Sequence, residues 1–156
     1  MRKQFVHLTD CDDIEMGVRD EVNGQRVYVT PQGNIYPSIT SILGRQPKPG
    51  IEAWKEKVGY QEANKIMKES AALGTMVHSL CEDYLYNEDL QCDDKEAISV
   101  FNRLRFLLGN IDNIQCIEAP LHSDILKVAG TADCIAEYNG VLSVIDFKTS
   151  RKAKRE

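Results

Sequence analysis

Apolar and polar positions follow two different periods along this chain. Residues 25–30 alternate between the two types, which predicts a strand, and Pro31–Asn34 then supply a turn before a short return strand. Between Ile51 and Leu108 the apolar residues recur every three or four positions, which is typical of helices. Gly74-Thr75 interrupts this stretch, so we predict a helix on each side of it, with the threonine capping the second. A third helix is predicted from about Asp94, and Gly109 can end it.

The last third of the chain changes to the alternation of strands. The runs Thr131–Tyr138 and Val141–Thr149 are joined by Asn139-Gly140, the dipeptide that most strongly favours a two-residue hairpin turn. A helical first half followed by a mostly antiparallel sheet indicates a mixed α+β domain. We place this domain at residues 25–156, after a polar, irregular segment at 1–24.

The hairpin turn determines which residues of its two strands face each other. If Tyr138 pairs with Val141, the same register places Asp133 directly opposite Asp146, with Cβ atoms about 4.5–5.5 Å apart. Two opposed carboxylates repel each other and need a counter-charge. Lys148 lies on the same face, and a divalent cation would supply the remaining charge, with Mg²⁺ or Mn²⁺ the ions that suit oxygen ligands. The alternative is an exposed face on which water solvates both acids.

Three further residues are candidates for the same chemistry. His78 and Glu82 are four apart on a predicted helix and therefore share one face. Such a pair can contribute to a metal site, although in isolation it is more often a surface pair or a core histidine with its partner. Glu118 lies within a predicted strand and is either a third carboxylate of the cluster or a solvent-facing residue.

Composition narrows the class of protein without deciding its function. The 156 residues are 42% hydrophobic, enough for one folded core, and no apolar run approaches the roughly 20 residues of a membrane helix, so we expect no membrane partner. The five cysteines lack metal-binding or disulfide spacing, and the first residues lack the apolar core of a secretion signal. We therefore expect reduced thiols in a cytoplasmic protein. The net charge of −5 argues only weakly against nucleic acid, because carboxylates around a metal contribute to it.

An ordered set of short motifs resembles the PD-(D/E)XK nuclease superfamily. The two central motifs are Gly130-Thr131-Ala132-Asp133 and the Asp146-x-Lys148 element, the latter within Val144–Thr149. The upstream motifs are similar to the RecB-like branch, which includes phage exonucleases and mitochondrial genome maintenance exonucleases. They are Gly74-Thr75-x-x-His78-x-x-x-Glu82, Pro37–Leu43 and Trp54-Lys55-x-x-Val58-Gly59.

The resemblance implies a restriction-endonuclease-like core, with a central mixed sheet flanked by helices. It also implies a role for each matching residue. Asp133, Asp146 and the backbone carbonyl of Phe147 would bind Mg²⁺ or Mn²⁺, and His78 would join them. Lys148 would orient or activate the attacking water. Glu118 and Glu82 match less firmly and would hold water or metal.

The function implied by the resemblance is metal-dependent hydrolysis of DNA by an exonuclease. Its partner would be single-stranded DNA or DNA ends, in repair, recombination or phage DNA metabolism. The branch usually continues into a helix with a Gln-x-x-x-Tyr motif, which is missing after Lys148, so we expect a C-terminal segment or a protein partner to complete the fold. The alternative is a truncated or inactive module that binds DNA or protein without cutting. The expected location is the cytoplasm of a bacterial or phage-infected cell, with the mitochondrial matrix left open.

Overall fold

The computed structural model describes residues 2–8, 18–22 and 24–149. Helices and two small antiparallel sheets confirm the predicted mixed α+β class, and they are compatible with a nuclease-like core. The basic cluster Arg151–Arg155 lies outside the described residues. The elements in chain order are β1 (Val18–Val22), β2 (Gln25–Val29), β3 (Ile35–Pro37), α1 (Ile39–Gly44), α2 (Pro49–Val58), α3 (Tyr60–Leu85), α4 (Lys95–Leu108), β4 (Ile111–Ser123), β5 (Val128–Tyr138) and β6 (Val141–Ile145).

The chain divides into two compact units. One consists of Met1–Phe5, Lys48–Asp112 and Phe147–Glu156, and it holds α2, α3 and α4. The other consists of Val6–Pro47 and Asn113–Asp146, and it holds α1 together with nearly all of both sheets. Each unit therefore combines segments that are far apart in the sequence.

In the helical unit, α3 is one continuous helix of 26 residues. The predicted break at Gly74-Thr75 is wrong, and Thr75 is not a cap, because its hydroxyl donates a hydrogen bond to the Ala71 carbonyl at 3.1 Å. An apolar stripe continues through Gly74, and its packing outweighs the roughly 1 kcal/mol that a glycine costs within a helix. The buried residues of the stripe are Ala63, Leu73, Val77, Leu80, Cys81, Tyr84 and Leu85.

The predicted start of α4 is confirmed. The carboxylate of Asp94 accepts a hydrogen bond of 2.7 Å from the Ala97 amide, which satisfies one of the unpaired donors in the first turn. The helix then packs its apolar face on α3. The ring of Tyr84 lies between those of Phe5 and Phe101, with centroid separations of 5.2 and 5.6 Å and edge-to-face geometry. These three buried rings are part of the core of the helical unit.

The other unit contains two three-stranded sheets, in the orders β1-β2-β3 and β4-β5-β6. The turn predicted after residue 30 is confirmed, with Gly33 at a φ of 81° that suits glycine. β1 was not predicted, because it falls in the segment that the sequence leaves irregular. Parallel bridges join Ser38 to Ala129 and His7 to Ile114, so parallel pairing exists only as isolated bridges among the described residues.

The hairpin of β5 and β6 has the predicted register. Tyr138 pairs with Val141, and the ladder continues to the pair Cys134 and Ile145. Asn139 and Gly140 have φ values of 52° and 77°, the left-handed conformation that a two-residue turn of this kind requires at both positions. β6 ends at Ile145, so the strand is shorter than the predicted run to residue 149.

Gly130 marks a close approach between β5 and α1. A Cβ atom at this position would lie 2.8 Å from Cγ2 of Ile39, a distance that real contacts do not show. Because Cγ2 belongs to a β-branched side chain, the helix or the strand must move to make room. The glycine is therefore required by packing.

Gly130→Ala is expected to destabilise the protein by about 1–3 kcal/mol, the usual cost of overpacking. Urea unfolding followed by circular dichroism measures this change. Gly50→Ala is the matched control, since nothing lies within 4 Å of a Cβ there and alanine favours the helix. Equal unfolding midpoints for the two variants would contradict the packing role of Gly130.

Candidate active site

The opposed acids predicted from the hairpin lie on the more exposed face of β5. Asp133 is half-buried, whereas the side chains of Cys134 and Ala136 are buried on the other face. Asp146 follows directly after Ile145, the strand partner of Cys134, and is exposed. The apolar residues next to the acids in the sequence, Cys134 and Ile145, thus belong to the opposite face, so solvent reaches both carboxylates.

The negative charge of Asp133 contributes to a raised pKa of the neighbouring Cys134 thiol. Burial raises the pKa of the Cys134 thiol to about 12, and the neighbouring Asp133 carboxylate adds to this rise. Cys81, Cys92 and Cys134 are free thiols, whereas Cys116 is disulfide-bonded. The expectation of reduced thiols throughout is therefore wrong for Cys116. The thiol of Cys134 is therefore protonated and unreactive at neutral pH.

Thiol labelling tests this environment. At pH 8 we expect iodoacetamide to modify Cys92, which is half-buried, while Cys134 reacts only after unfolding. With a pKa of about 12, only about one Cys134 thiol in 10⁴ is ionised at that pH. Peptide mass spectrometry after timed labelling measures both rates. Similar rates for Cys92 and Cys134 in the folded protein would show that the region around Asp133 is open.

His78 lies on α3 and contacts the residue that follows Asp146 in the chain. Its Nε2 donates a hydrogen bond of 2.5 Å to the Phe147 carbonyl oxygen, and the two rings meet edge to face at 5.7 Å. Phe147 is buried, which anchors this part of the chain against α3. The imidazole nitrogen and the carbonyl oxygen, both expected as metal ligands, therefore converge in the helical unit.

A groove of about 430 Å³ runs along α3 beside this contact. His78 and Glu82 both line it, as their four-residue spacing predicts. Gly74 lies close to Thr149, since a Cβ atom at position 74 would be in ordinary van der Waals contact with Oγ1 of Thr149, at 3.5 Å. The complete lining is Ala71, Gly74, Thr75, His78, Ser79 and Glu82.

The seven predicted site residues are divided between the two units. The helical unit contains His78, Glu82, Phe147 and Lys148, and the sheet unit contains Glu118, Asp133 and Asp146. The two sets are joined in the covalent chain at the bond between residues 146 and 147. Within the described ranges, no group of three or more histidine, cysteine, aspartate and glutamate side chains is placed to hold a metal ion.

Glu118 has an unusual backbone for a strand residue. Its φ is 52°, in the left-handed region, and its side chain is exposed between the buried residues Ile117 and Ala119. Asn113 earlier in β4 has a φ of 46°, so the strand departs from regular geometry twice. Glu118 is thus exposed, as Asp146 and Lys148 are, and its membership of the carboxylate cluster stays a prediction.

One contact near Asp133 has no signal in the sequence. The Tyr28 hydroxyl lies 3.2 Å from Oγ1 of Thr131, two residues before Asp133 on the same face of β5. Alternation predicts that Tyr28 is in a strand, but no local pattern pairs β2 with β5. The contact ties β5 to the first sheet close to the candidate ligand.

The α+β architecture and the carboxylates at the hairpin are compatible with a nuclease-like core, and similarity to known proteins points the same way. No protein-family profile matches the chain. The chain is similar to proteins named mitochondrial genome maintenance exonuclease 1, with 30% identity over 133 residues in Mus musculus, 28% over 134 in Homo sapiens and 31% over 129 in Xenopus tropicalis. These relatives support a nuclease family for the chain.

The similarity covers more of this chain than of its relatives. The matches include 79%, 79% and 76% of the chain, but only 39%, 39% and 37% of the mouse, human and frog proteins. The chain thus spans about two fifths of the length of the curated relatives it matches.

The expected location in the cytoplasm of a bacterial or phage-infected cell is wrong, because the relatives are named as mitochondrial proteins. The prediction relied on the missing apolar core of a secretion signal. Mitochondrial transit peptides are instead amphipathic and basic, so that observation does not bear on them. Of the described helices, none is both long and apolar enough to cross a membrane.

Proposed function

We propose that this protein is a Mg²⁺- or Mn²⁺-dependent exonuclease of the RecB-like branch of the PD-(D/E)XK superfamily, which hydrolyses phosphodiester bonds in single-stranded DNA or at DNA ends. The single observation that carries the proposal is the β5–β6 register. It pairs Cys134 with Ile145, so the next residue on each side is an aspartate. Similarity to proteins named exonucleases supports the same reaction.

The donor set of the proposed site fits a hard divalent ion. Asp133 and Asp146 would supply carboxylate oxygens, with the Phe147 carbonyl and the His78 imidazole as further ligands. The short contact between the last two groups supports their assignment, since both atoms already point to one place in the helical unit. A divalent ion held there would lower the pKa of water and neutralise developing charge on the phosphate.

The remaining residues would act on the water and the phosphate. Lys148 is exposed and follows Asp146 by two residues, so we assign it to orienting the attacking water and stabilising negative charge on the scissile phosphate. Glu82 shares the α3 groove with His78 and would accept a hydrogen bond from water. Glu118 would act through a bound water molecule.

The names of the relatives support a role in maintaining mitochondrial DNA. A second candidate function is DNA or protein binding without cutting. It is favoured by one observation, that the described residues contain no group of three side chains placed to hold a metal. The two candidates differ in whether bound DNA is degraded.

Incubation with end-labelled single-stranded and double-stranded DNA separates the two functions. We expect the labelled strand to shorten in Mg²⁺ or Mn²⁺ and to stay intact in EDTA. If DNA is bound in Mg²⁺, Mn²⁺ and EDTA but is never shortened, the nuclease proposal is wrong and the function is binding without cutting. Degradation that persists in EDTA would reject the dependence on metal.

A further inference from the structure

The outer face of α4 carries the most exposed aromatic ring in the described part of the chain. Phe106 is 84% exposed, whereas the buried face of the helix is formed by Ala97, Phe101 and Leu108. A ring this exposed adds almost nothing to the core, and one exposed apolar residue is common in itself. The residues around Phe106 on the helix distinguish it from an isolated exposed apolar residue.

Polar and cationic residues surround Phe106 on the same face. With 3.6 residues per turn, Lys95, Ser99, Asn102 and Arg103 all lie within about 60° of Phe106 around the helix axis. All five residues are exposed. They form a strip about 16 Å long at 1.5 Å per residue. We name these five residues the α4 strip.

The α4 strip is locally positive in a chain whose net charge is −5. Residues 97–111 include two arginines and no carboxylate. Within the described part of the chain, Lys95 and Arg103 form no ion pair, unlike Lys3 and Lys55, which lie 3.5 Å from Asp112 and 2.9 Å from Glu52. Both cations of the strip can therefore pair with an external anion.

We propose that the α4 strip binds single-stranded DNA, with a base stacked on the Phe106 ring and phosphates beside Arg103 and Lys95. Aromatic rings next to cations are the features with which proteins hold single strands, because every base has a face that stacks. A duplex offers no free base face, and a protein partner would favour a contiguous apolar patch. The inference rests on the proposed nuclease function, whose substrate it would hold.

Binding of fluorescein-labelled oligothymidine, measured by anisotropy in EDTA, tests the proposal without cleavage. Phe106→Ala is expected to weaken binding about tenfold, and Phe106→Trp to preserve it, because stacking depends on the ring. Leu107→Ala is the matched control, since it removes a side chain that is 54% exposed on the same helix but outside the strip. Both positions are exposed, so little change in folding stability is expected for any of the three variants.

The salt dependence of binding tests the cations separately. Arg103→Ala is expected to reduce the slope of log affinity against log salt by about 0.7, the contribution of one phosphate contact with a single strand. Lys65→Ala, which removes an exposed cation from α3, is expected to leave the slope unchanged. Equal slopes for wild type and Arg103→Ala would overturn the assignment of phosphate contacts to the strip.

The outcomes distinguish this inference from the nuclease proposal. If the wild type degrades DNA but Phe106→Ala binds oligothymidine as tightly as the wild type, the proposed role of the α4 strip is wrong and the nuclease proposal is unaffected. If Phe106→Ala binds weakly but the wild type degrades no DNA with either metal, the DNA-binding role of the α4 strip is supported and the nuclease proposal is wrong. If sedimentation shows that Phe106→Ala changes self-association and leaves DNA affinity intact, the strip contacts a second copy and the proposal is wrong.

Discussion

Asp146→Asn is expected to lower metal-dependent DNA degradation about a thousandfold or more. The substitution keeps the size of the side chain but removes the negative charge and one anionic ligand. Metal ions stabilise charge in the transition state by several kcal/mol, and each 1.4 kcal/mol corresponds to a tenfold change in rate. Initial rates on end-labelled single-stranded DNA in Mg²⁺ and in Mn²⁺ measure the loss.

The control for this variant is Asp93→Asn, which removes the same charge from an exposed position between α3 and α4. It is expected to keep the wild-type rate. Because Asp146 lies on the exposed side of the hairpin, both variants are expected to retain the wild-type thermal unfolding midpoint. If folded Asp146→Asn kept more than a tenth of the activity, the assignment of this residue as a ligand would be wrong.

His78→Ala is expected to lower activity about a hundredfold or more and to lower it further in Mn²⁺ than in Mg²⁺. The imidazole nitrogen is the one ligand of the proposed set that favours Mn²⁺ over Mg²⁺. The variant also loses the hydrogen bond to the Phe147 carbonyl and the ring contact. The ratio of rates in the two metals is the decisive measurement.

A purely structural role for His78 would reduce the rates in both metals by the same factor. His122→Ala provides the comparison, since His122 is the histidine of β4, interacts with Asp124 at 3.9 Å and is not a predicted ligand. This variant is expected to leave the Mn²⁺ to Mg²⁺ ratio unchanged. An unchanged ratio in His78→Ala as well would remove the imidazole from the proposed ligand set.

Local chemistry explains which elements the sequence predicts correctly. The Asn139-Gly140 turn depends on left-handed φ values at two adjacent residues, and that requirement alone sets the register down to Cys134 and Ile145. The start of α4 is equally local, because Asp94 caps an amide three residues later. Signals of this kind are contained within a few residues and need no knowledge of the rest of the fold.

The features that the sequence misses depend on distant contacts. The continuity of α3 through Gly74 follows from packing of its apolar stripe, which outweighs the local preference of glycine. The need for glycine at position 130 comes from Ile39 in another element. Likewise, the resemblance assigns His78 and Phe147 to one site, but only the fold shows that α3 brings the imidazole to that carbonyl.

Calorimetric titration with Mn²⁺ tests the central claim, that the carboxylates at the end of the β5–β6 hairpin hold a divalent ion. The wild type and Asp93→Asn are expected to bind Mn²⁺ with the same affinity. The double variant Asp133→Asn/Asp146→Asn is expected to lose this binding while keeping its circular dichroism spectrum. Mn²⁺ binding of unchanged affinity and stoichiometry in the folded double variant would contradict the account.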